Sequence, residues 1–361
     1  MRRWSRIPAG IAALALVAAA CGGGQEEAAP TGGGGLPGEG MKACQVTDVG
    51  GIDDKSFNAT AWAGVQRAQE ELGVEGTFLE SQTQDDYAPN IQAFIDQGCD
   101  IIITVGFLLG DATKEAANAN PDQPFAIVDF AYGEGEIENN NVLGLTFATD
   151  QAAFLAGYLA AGMTKSGKVA TYGGINIPPV SIFMNGFWAG VQRYNQDNGT
   201  DVEVLGWDAA AQEGTFTGDF EDQTKGRQVT EEFLAEGADI ILPVAGPVGF
   251  GTTAALQDSP EDDWAVWVDT DGCVSASEFC PLFLTSVMKN MDVAVFEAIK
   301  QVVEGTFEGG VYVGTLDNDG VGIAPYHEFE DDVPQELKDA VEELRQGIID
   351  GSISADYNDY L

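Results

Sequence analysis

The polar residues most able to do chemistry lie together in one loop, Asp48-Val-Gly-Gly-Ile-Asp-Asp-Lys-Ser-Phe57-Asn58. An apolar run that predicts a buried strand precedes this loop, and a helical pattern follows it. Ligands of α/β proteins bind beyond such strand ends. The loop offers an acceptor in Asp48, flexible glycines and the aromatic ring of Phe57. A structural interpretation stays equally open here, in which Asp54 or Ser56 caps the helix and Phe57 packs against it.

Sequence motifs typical of enzymes are absent: the chain has no G-x-x-x-x-G-K-[ST], no H-E-x-x-H and no G-x-S-x-G. The segment Asp269-Thr-Asp271-Gly272 resembles the start of a calcium loop, but Trp267 stands in the first ligand position. The single histidine, His327, has no obvious partner and is expected at the surface. We therefore expect no metal, no cofactor and no catalytic residue.

The first forty residues predict export and a lipid anchor. Residues 1–20 combine a basic start with the apolar run IAALALVAAA, which is too short to span a bilayer and is typical of a signal peptide. Cys21 follows at the predicted cleavage point, as in bacterial lipoproteins; the alternative is an ordinary secretory signal with an incidental cysteine. Residues 21–41 therefore predict a lipidated cysteine and a flexible Gly- and Pro-rich linker. The expected location is the extracytoplasmic face of the cell membrane.

The charge of the chain excludes one class of partner. The formal net charge is −42, from 58 acidic and 16 basic residues, so binding to nucleic acid is not expected. We expect the acidic side chains on solvated helix faces, and a cationic substrate is the functional alternative. An apolar fraction of 44% is enough for real cores, and the length suits two domains.

Four cysteines remain after Cys21, and in an exported protein an even number predicts two disulfides. Cys273 and Cys280 are close enough in sequence to close a small loop. Cys44 opens one predicted strand and Cys99 directly precedes another. A bridge between them is feasible if these strands are parallel neighbours.

The spacing of apolar runs predicts two similar α/β halves. In the first half, strands at 43–49, 76–80, 101–105 and 125–129 alternate with helices at 56–72, 87–97 and 112–120. The second half repeats this order, with helices at 151–163, 184–195, 225–236 and 250–257 and strands at 168–172, 202–207, 240–243 and 264–268. Two phrases match closely across the halves, Gln97-Gly-Cys-Asp-Ile-Ile-Ile and Glu236-Gly-Ala-Asp-Ile-Ile-Leu.

The segments after Cys280 are expected to cross back between the halves. They contain a strand at 282–286, a helix at 291–304, a β-rich stretch at 310–324 and a helix at 334–350. We assign 42–148 plus about 280–310 to lobe 1, and 149–279 plus about 311–361 to lobe 2. The cleft between the lobes is the predicted ligand site.

Several phrases, taken with the loop at 48–58, make the chain resemble the basic membrane protein family. These are substrate-binding lipoproteins of ABC transporters, and they include bacterial purine nucleoside receptors. The further matching phrases are Phe154-Leu-Ala-Gly157, Gly186-Phe-Trp-Ala-Gly190, Phe220-Glu-Asp-Gln-Thr-Lys-Gly226, Val268-Asp-Thr-Asp271 and Thr285-Ser-Val-Met-Lys289. The resemblance implies a type I periplasmic-binding-protein-like α/β fold, with two doubly wound parallel-sheet lobes and a hinge.

At one end of the ligand, the resemblance implies contacts with a purine base. Phe57 and Phe220 would sandwich the ring. Asp48 would accept from the base edge, with Asn58 beside it. Phe216, four residues before Phe220, is the alternative for the second aromatic residue.

At the other end, the resemblance implies contacts with ribose. Asp269 and Lys289 would hold the hydroxyls, because a carboxylate accepts from adjacent hydroxyl groups. Asp150 would reach the ligand from the crossover helix. Trp267 stands where the family usually has a small residue, which could narrow this end. For Lys289, a surface position is the alternative.

The expected function is that of an extracytoplasmic substrate-binding lipoprotein of an ABC importer, a monomer that binds a purine nucleoside between its lobes. Its partners would be the small ligand, the ABC permease subunits and the membrane that holds the lipid. Three alternatives remain open. The ligand could be a sugar or another small polar molecule, or the protein could be a sensory module. A periplasmic nucleoside-processing enzyme is the third, although the sequence offers no nucleophile with its base.

Overall fold

Two six-stranded sheets frame residues 35–361, which are the residues that the computed structural model describes. The predicted signal peptide (1–20), the lipidated Cys21 and most of the predicted linker lie outside the described residues. Within 35–361, no helix is long and apolar enough to cross a membrane.

The first half of the chain alternates strands with helices as its sequence predicts. Its elements are β1 (Lys42–Val46), α1 (Phe57–Leu72), β2 (Glu75–Leu79), α2 (Tyr87–Asp96), β3 (Ile101–Val105), α3 (Gly110–Ala119), β4 (Phe125–Val128) and β5 (Val142–Phe147). β5 is the strand that the sequence analysis missed. Gly144 interrupts its apolar run, and this glycine is required because the backbone of Phe130 and Ala131 passes directly over it.

The second half contains more elements. They are α4 (Thr149–Met163), β6 (Lys168–Gly173), α5 (Pro178–Asn198), β7 (Glu203–Leu205), β8 (Trp207–Asp208), β9 (Glu213–Gly214), α6 (Gln223–Ala235), β10 (Ile240–Val244), α7 (Gly249–Asp258), β11 (Trp264–Asp269), α8 (Gly272–Ser275) and β12 (Phe283–Lys289). The final elements are α9 (Met291–Val303), β13 (Gly310–Gly314), β14 (Val321–Ile323) and α10 (Gln335–Ile349).

The strand orders are β13-β5-β4-β3-β1-β2 in the first sheet and β14-β12-β11-β10-β6-β7 in the second. Every pair is parallel except β12 with β14. The carboxyl ends of the parallel strands therefore share one edge of each sheet, where ligands of such folds bind. The predicted fold class, two doubly wound α/β lobes, is confirmed.

Two of the predicted lobe boundaries are wrong. β12 pairs with β11 in the second sheet, although we assigned 280–310 to lobe 1. β13 pairs with β5 in the first sheet, although we assigned 311–361 to lobe 2. The chain therefore crosses between the sheets after β5, after β12 and after β13. Helix α9 follows β12 but packs against α1 of lobe 1.

Close packing of α4 on α5 explains two of the phrases that the sequence analysis matched to a family. A β-carbon on Gly157 would lie 2.1 Å from the carbonyl oxygen of Phe187, and one on Gly190 would lie 2.0 Å from that of Phe154. Any larger side chain would push the helices apart. These phrases therefore preserve the packing of lobe 2.

Both predicted disulfides are present in the structure. Cys44 and Cys99 are bonded, with their Cα atoms 6.1 Å apart, because β1 and β3 are parallel neighbours. Cys273 and Cys280 are bonded with Cα atoms 4.5 Å apart and close the short loop after β11. The first bridge lies at the amino ends of its strands, away from the ligand edge. The second lies close to that edge.

Candidate ligand-binding site

A cavity lies between the two lobes at the carboxyl ends of their strands. It contains about 590 Å³ of atom-free space, part of it open to solvent. Lobe 1 lines it with the loops after β1, β3 and β4 and with the start of α1. Lobe 2 lines it with the start of α5, the residue Phe220 and the ends of β10, β11 and β12. Six of the seven predicted ligand residues line this cavity: Asp48, Phe57, Asn58, Phe220, Asp269 and Lys289.

Asp48 is held at one end of the cavity by contacts inside lobe 1. Its Oδ1 accepts from the backbone N–H of Val49 at 2.7 Å and from the hydroxyl of Tyr87. The side-chain oxygen of Asn58 accepts from the backbone N–H of Asp48 at 3.0 Å. Burial raises the pKa of Asp48 to about 6, and the bonds from Tyr87 and Val49 oppose this rise.

The loop between β1 and α1 also carries a helix cap, as the structural interpretation of this loop predicts. Asp54 accepts from the backbone N–H groups of Ser56, Asn58 and Ala59, at 3.0, 2.7 and 3.0 Å. Asp54 is therefore the cap, and Phe57 remains half-buried at the cavity wall. The capping interpretation is confirmed for Asp54, and Phe57 and Asn58 still line the cavity, so a role of this loop in ligand binding stays a prediction.

Lys289 forms the centre of the opposite end of the cavity and is almost fully buried. Its ammonium group lies 2.6 Å from Asp129 Oδ2 of lobe 1 and 3.2 Å from Asp269 Oδ1 of lobe 2. Burial lowers the pKa of Lys289, but the two carboxylates outweigh burial and raise it above its usual value. Lys289 therefore stays charged, and the surface position that the sequence left open is wrong.

The two lobes contact each other directly at this end. The hydroxyl of Ser56 in lobe 1 donates to Asp269 Oδ2 of lobe 2 at 2.7 Å. The ion pair between Lys289 and Asp129 also joins the lobes. Any ligand held between Asp48 and Lys289 would contact both lobes.

Aromatic rings cover the walls between these two polar ends. The ammonium group of Lys289 lies 4.7 Å from the ring centre of Phe57 and 5.3 Å from that of Phe183. Phe220 lines the cavity, whereas Phe216 packs against Trp207, with ring centres 6.1 Å apart. Phe220 rather than Phe216 is therefore the candidate aromatic contact in lobe 2.

Two expectations about individual side chains are wrong. Asp150 does not line the cavity: it lies in the first turn of α4, where its backbone packs on Gly186, and Asp356 is the neighbouring carboxylate. Trp267 does not narrow the cavity, because alternation along β11 turns it to the other face of the sheet. There it packs in the core against Phe250 and Phe283, at ring-centre distances of 5.1 and 5.0 Å.

The residues that escaped the sequence analysis include Asp129, Phe183 and Gly106 on the cavity wall, and Tyr87, which bonds Asp48. Asp129 had a detectable signal, since it stands at the carboxyl end of a buried strand, as Asp48 and Asp269 do. Phe183 was missed because helix α5 begins at Pro178, six residues before the predicted start, and proline is favoured in the first turn of a helix. Nothing in the sequence connects Tyr87 with Asp48.

His327 is exposed as expected but has a partner, since its Nε2 lies 2.7 Å from Asp271 Oδ2. Cys273 is the third residue of this cluster. Its sulfur is already bonded to Cys280, so it cannot act as a thiolate ligand.

The arrangement can hold a flat, mostly apolar molecule with polar groups at both ends. Four carboxylates and one ammonium group line the described part of the cavity: Asp48, Asp54, Asp129, Asp269 and Lys289. Such carboxylates accept hydrogen bonds from N–H and hydroxyl groups. They would repel an anion.

The chain matches known proteins over almost its full described length. Residues 41–359 match the family model described as "ABC transporter substrate-binding protein PnrA-like". The chain is 32% identical to a CD4+ T-cell-stimulating antigen of Listeria monocytogenes, covering 85% of this chain and 86% of that protein. It is 31% identical to the ABC transporter nucleoside-binding protein BmpA of Lactococcus lactis, covering 87% and 88%.

A solved structure agrees with these matches. A solute-binding protein of an ABC transporter system from Aeropyrum pernix has a TM-score of 0.78 and 30% identity, and covers 87% of this chain and 92% of its own. A solute-binding protein from Agrobacterium vitis, at 15% identity and a TM-score of 0.60, shares the fold, with 81% of this chain and 96% of its own covered. The resemblance drawn from the loop at 48–58 is thus confirmed, and the chain belongs to the PnrA-like family of ABC transporter substrate-binding proteins.

Proposed function

We propose that this substrate-binding protein carries a purine nucleoside in the cavity between its lobes. The observation that carries the proposal is the order of groups along the cavity. Asp48 follows β1 and Asp129, the partner of Lys289, follows β4, with β3 between these strands in the sheet, so the two carboxylates stand apart along the edge. The rings of Phe57 and Phe220 also line the cavity. A purine suits the aromatic walls, since a planar base stacks on phenylalanine.

The acidic groups around Lys289 support ribose at that end. Asp129 and Asp269 each offer carboxylate oxygens to a ligand that carries neighbouring hydroxyls. A phosphate group would meet two carboxylates beside an ammonium group that is already paired. We therefore expect the ligand to be a nucleoside and not a nucleotide.

The test is direct binding to the purified protein. Mass spectrometry of small molecules released on denaturation should identify a nucleoside. Adenosine, guanosine or inosine should raise the melting temperature by mass action and remain chemically unchanged. A thermal shift with a hexose or an amino acid, but with no purine nucleoside, would replace the proposal by a sugar or amino-acid receptor.

We further propose that Cys21 is lipidated and that the protein delivers its ligand, as a monomer, to an ABC permease at the extracytoplasmic face of the membrane. The sequence before the described residues supports this, and a relative from Pyrococcus abyssi, 30% identical over 86% of this chain and 78% of its own length, bears the name lipoprotein. Replacement of Cys21 by Ser should release the protein from the membrane fraction. Continued membrane association of the Cys21→Ser protein would contradict the anchor.

A further inference from the structure

Asp48 does not present both of its carboxylate oxygens to the cavity. Its Oδ1 accepts from Tyr87 and from the backbone of Val49. Its Oδ2 accepts no hydrogen bond from any residue between 35 and 361. This oxygen lies beside Gly106, where a β-carbon would approach it to 2.4 Å, and Gly106 itself lines the cavity. One oxygen is thus engaged by the protein, and the other remains for a ligand.

Tyr87 is suited to fix this arrangement. It is 2% exposed, begins α2 and packs in the core of lobe 1 with Val46, Ile91 and Phe94. Burial and the neighbouring carboxylate raise the pKa of Tyr87, so its hydroxyl keeps its proton and can only donate to Asp48. The bond from Tyr87 therefore favours the ionised form of Asp48 and, together with the bond from Val49, engages Oδ1 and leaves Oδ2 unoccupied by the described residues.

We propose that Tyr87 is a specificity-determining residue that acts through Asp48, so that the cavity selects a purine edge carrying an N–H donor. This rests on the proposed nucleoside function and extends it. An ionised Asp48 accepts from an N–H group but opposes a bare ring nitrogen, which is itself an acceptor. Protonated Asp48 would reverse that preference, because its hydroxyl could donate to the ring nitrogen.

Within residues 35–361, the backbone N–H of Val49 is the other donor to the Asp48 carboxylate, and Tyr87 is the side chain that donates to it. Asn58 of α1 accepts from the backbone of Asp48 and not from its carboxylate. The loop after β3 brings Gly106 and Phe107, which carry no charge. The remaining charged groups that line the cavity are Asp54, Asp129, Asp269 and Lys289. Burial raises the pKa of Asp54 to about 6, so it titrates in the same range and must be separated experimentally.

The experiment compares two ligands that differ at one edge. Inosine carries an N–H at the six-membered ring, whereas purine riboside has a bare ring nitrogen there. Affinities are measured by calorimetry between about pH 5 and about pH 8. The wild-type protein should prefer inosine roughly tenfold or more above about pH 7, since the wrong edge leaves a buried acceptor unpaired. The preference should decline as the pH falls through about 6.

Tyr87→Phe keeps the ring and removes the hydroxyl. The pKa of Asp48 should rise, so the midpoint of the pH profile should move upward by about one unit and the preference near neutral pH should shrink several-fold. Tyr132→Phe is the matched control, because the Tyr132 hydroxyl donates at 2.6 Å to the backbone of Gly110 in the same lobe. Tyr132→Phe should leave the midpoint unchanged. A pH dependence that came from Asp54 would have the same midpoint in the wild type and in Tyr87→Phe.

A second variant keeps the test decisive if Tyr87→Phe does not fold. Asp48→Asn should bind purine riboside better than the wild type does, without a pH-dependent preference. Two results would overturn this inference: an equal midpoint in the wild type and Tyr87→Phe, or a pH-dependent preference in Asp48→Asn. Either result, obtained with a protein that binds nucleosides, would leave the proposed function intact. Absence of nucleoside binding by the wild type overturns both.

Discussion

The two lobes place different groups at equivalent strand ends. By strand register, Gly174 of lobe 2 stands where Asp48 stands in lobe 1, and Asp269 stands where Asp129 stands. Asp129 and Asp269 even share a left-handed backbone, with φ of 61° and 70°. Such conformations are unfavourable for an aspartate and persist where the surrounding structure requires them. The lobes are therefore alike at the Lys289 end of the cavity and unlike at the Asp48 end.

The difference at the Asp48 end follows from packing. A β-carbon on Gly174 would lie 2.3 Å from the ring of Phe220, so the glycine makes room for an aromatic ring where lobe 1 has a carboxylate. Lobe 1 alone supplies the polar recognition at that end. At the other end, both lobes share one ammonium group. From this difference we expect ligand identity to be read mainly by lobe 1 and closure to depend on the charges of both lobes.

The largest effect is expected when the shared ammonium group is removed. Lys289→Met leaves Asp129 and Asp269 buried without a cation, which should lower the free energy of unfolding at neutral pH by about 3–5 kcal/mol. Burial already raises the pKa of Asp129. A carboxyl group whose pKa is raised in the folded protein takes up its proton at a higher pH than in the unfolded chain. The loss of unfolding free energy should therefore shrink as the pH falls toward about 4. Urea unfolding across this pH range measures it.

The control for this prediction is Lys300→Met. Lys300 pairs with Glu297 on the exposed face of α9, at 3.0 Å. Exposed pairs contribute little to stability, so its urea midpoint should scarcely move. Equal losses of unfolding free energy in the two variants would show that the stability of the folded protein does not depend on the charges at the Lys289 end.

The aromatic wall of lobe 1 should matter more for affinity than for folding. Phe57→Ala removes a half-buried ring at the cavity wall and should weaken nucleoside binding by about 1–3 kcal/mol, as loss of base stacking does. Calorimetry gives the affinity. Phe94→Ala is the control, since this fully buried ring should cost roughly 3–5 kcal/mol of stability instead. An unfolded Phe57→Ala protein would show that Phe57 acts as a core residue.

The aromatic wall of lobe 2 should determine how far closure follows binding. A ligand can favour the closed form only through its contacts with both lobes. Phe220→Ala should weaken binding and also reduce the decrease in radius of gyration that ligand causes in small-angle scattering. Phe216→Ala should lose stability, because Phe216 packs on Trp207, but keep the full compaction. Unchanged compaction in saturated Phe220→Ala would exclude Phe220 as the lobe 2 contact.

The sequence predicts well which residues at strand ends come together, because the carboxyl ends of parallel strands meet at one edge of the sheet. Asp48 is predicted in this way, whereas Asp269 is implied only by the family resemblance, and Asp129 stands at a strand end that the same reasoning could have singled out. The sequence does not predict which side chains cross between lobes, because the Ser56–Asp269 and Asp129–Lys289 contacts join residues far apart in the chain. The same holds for Asp150, whose place beside α5 depends on glycine packing between two helices. The crossover segments were misassigned because the local sequence does not show which of the two sheets β12 and β13 join.

The smallest expected effect tests the hydrogen bond between the lobes. Ser56 donates to Oδ2 of Asp269, and Lys289 occupies the side of Oδ1, so the serine orients the carboxylate that we propose holds ribose. Ser56→Ala removes this donor without opening a large cavity and should cost about 1 kcal/mol of binding, or roughly fivefold. The loss should be larger for a ribonucleoside than for its 2′-deoxy analogue, because the deoxy ligand makes fewer contacts with Asp269. Ser352→Ala, on the surface after α10, should change neither affinity. If Ser56→Ala weakens both ligands equally, Ser56 contributes to closure alone, and the two lobes meet at the Lys289 end without sharing recognition of the sugar.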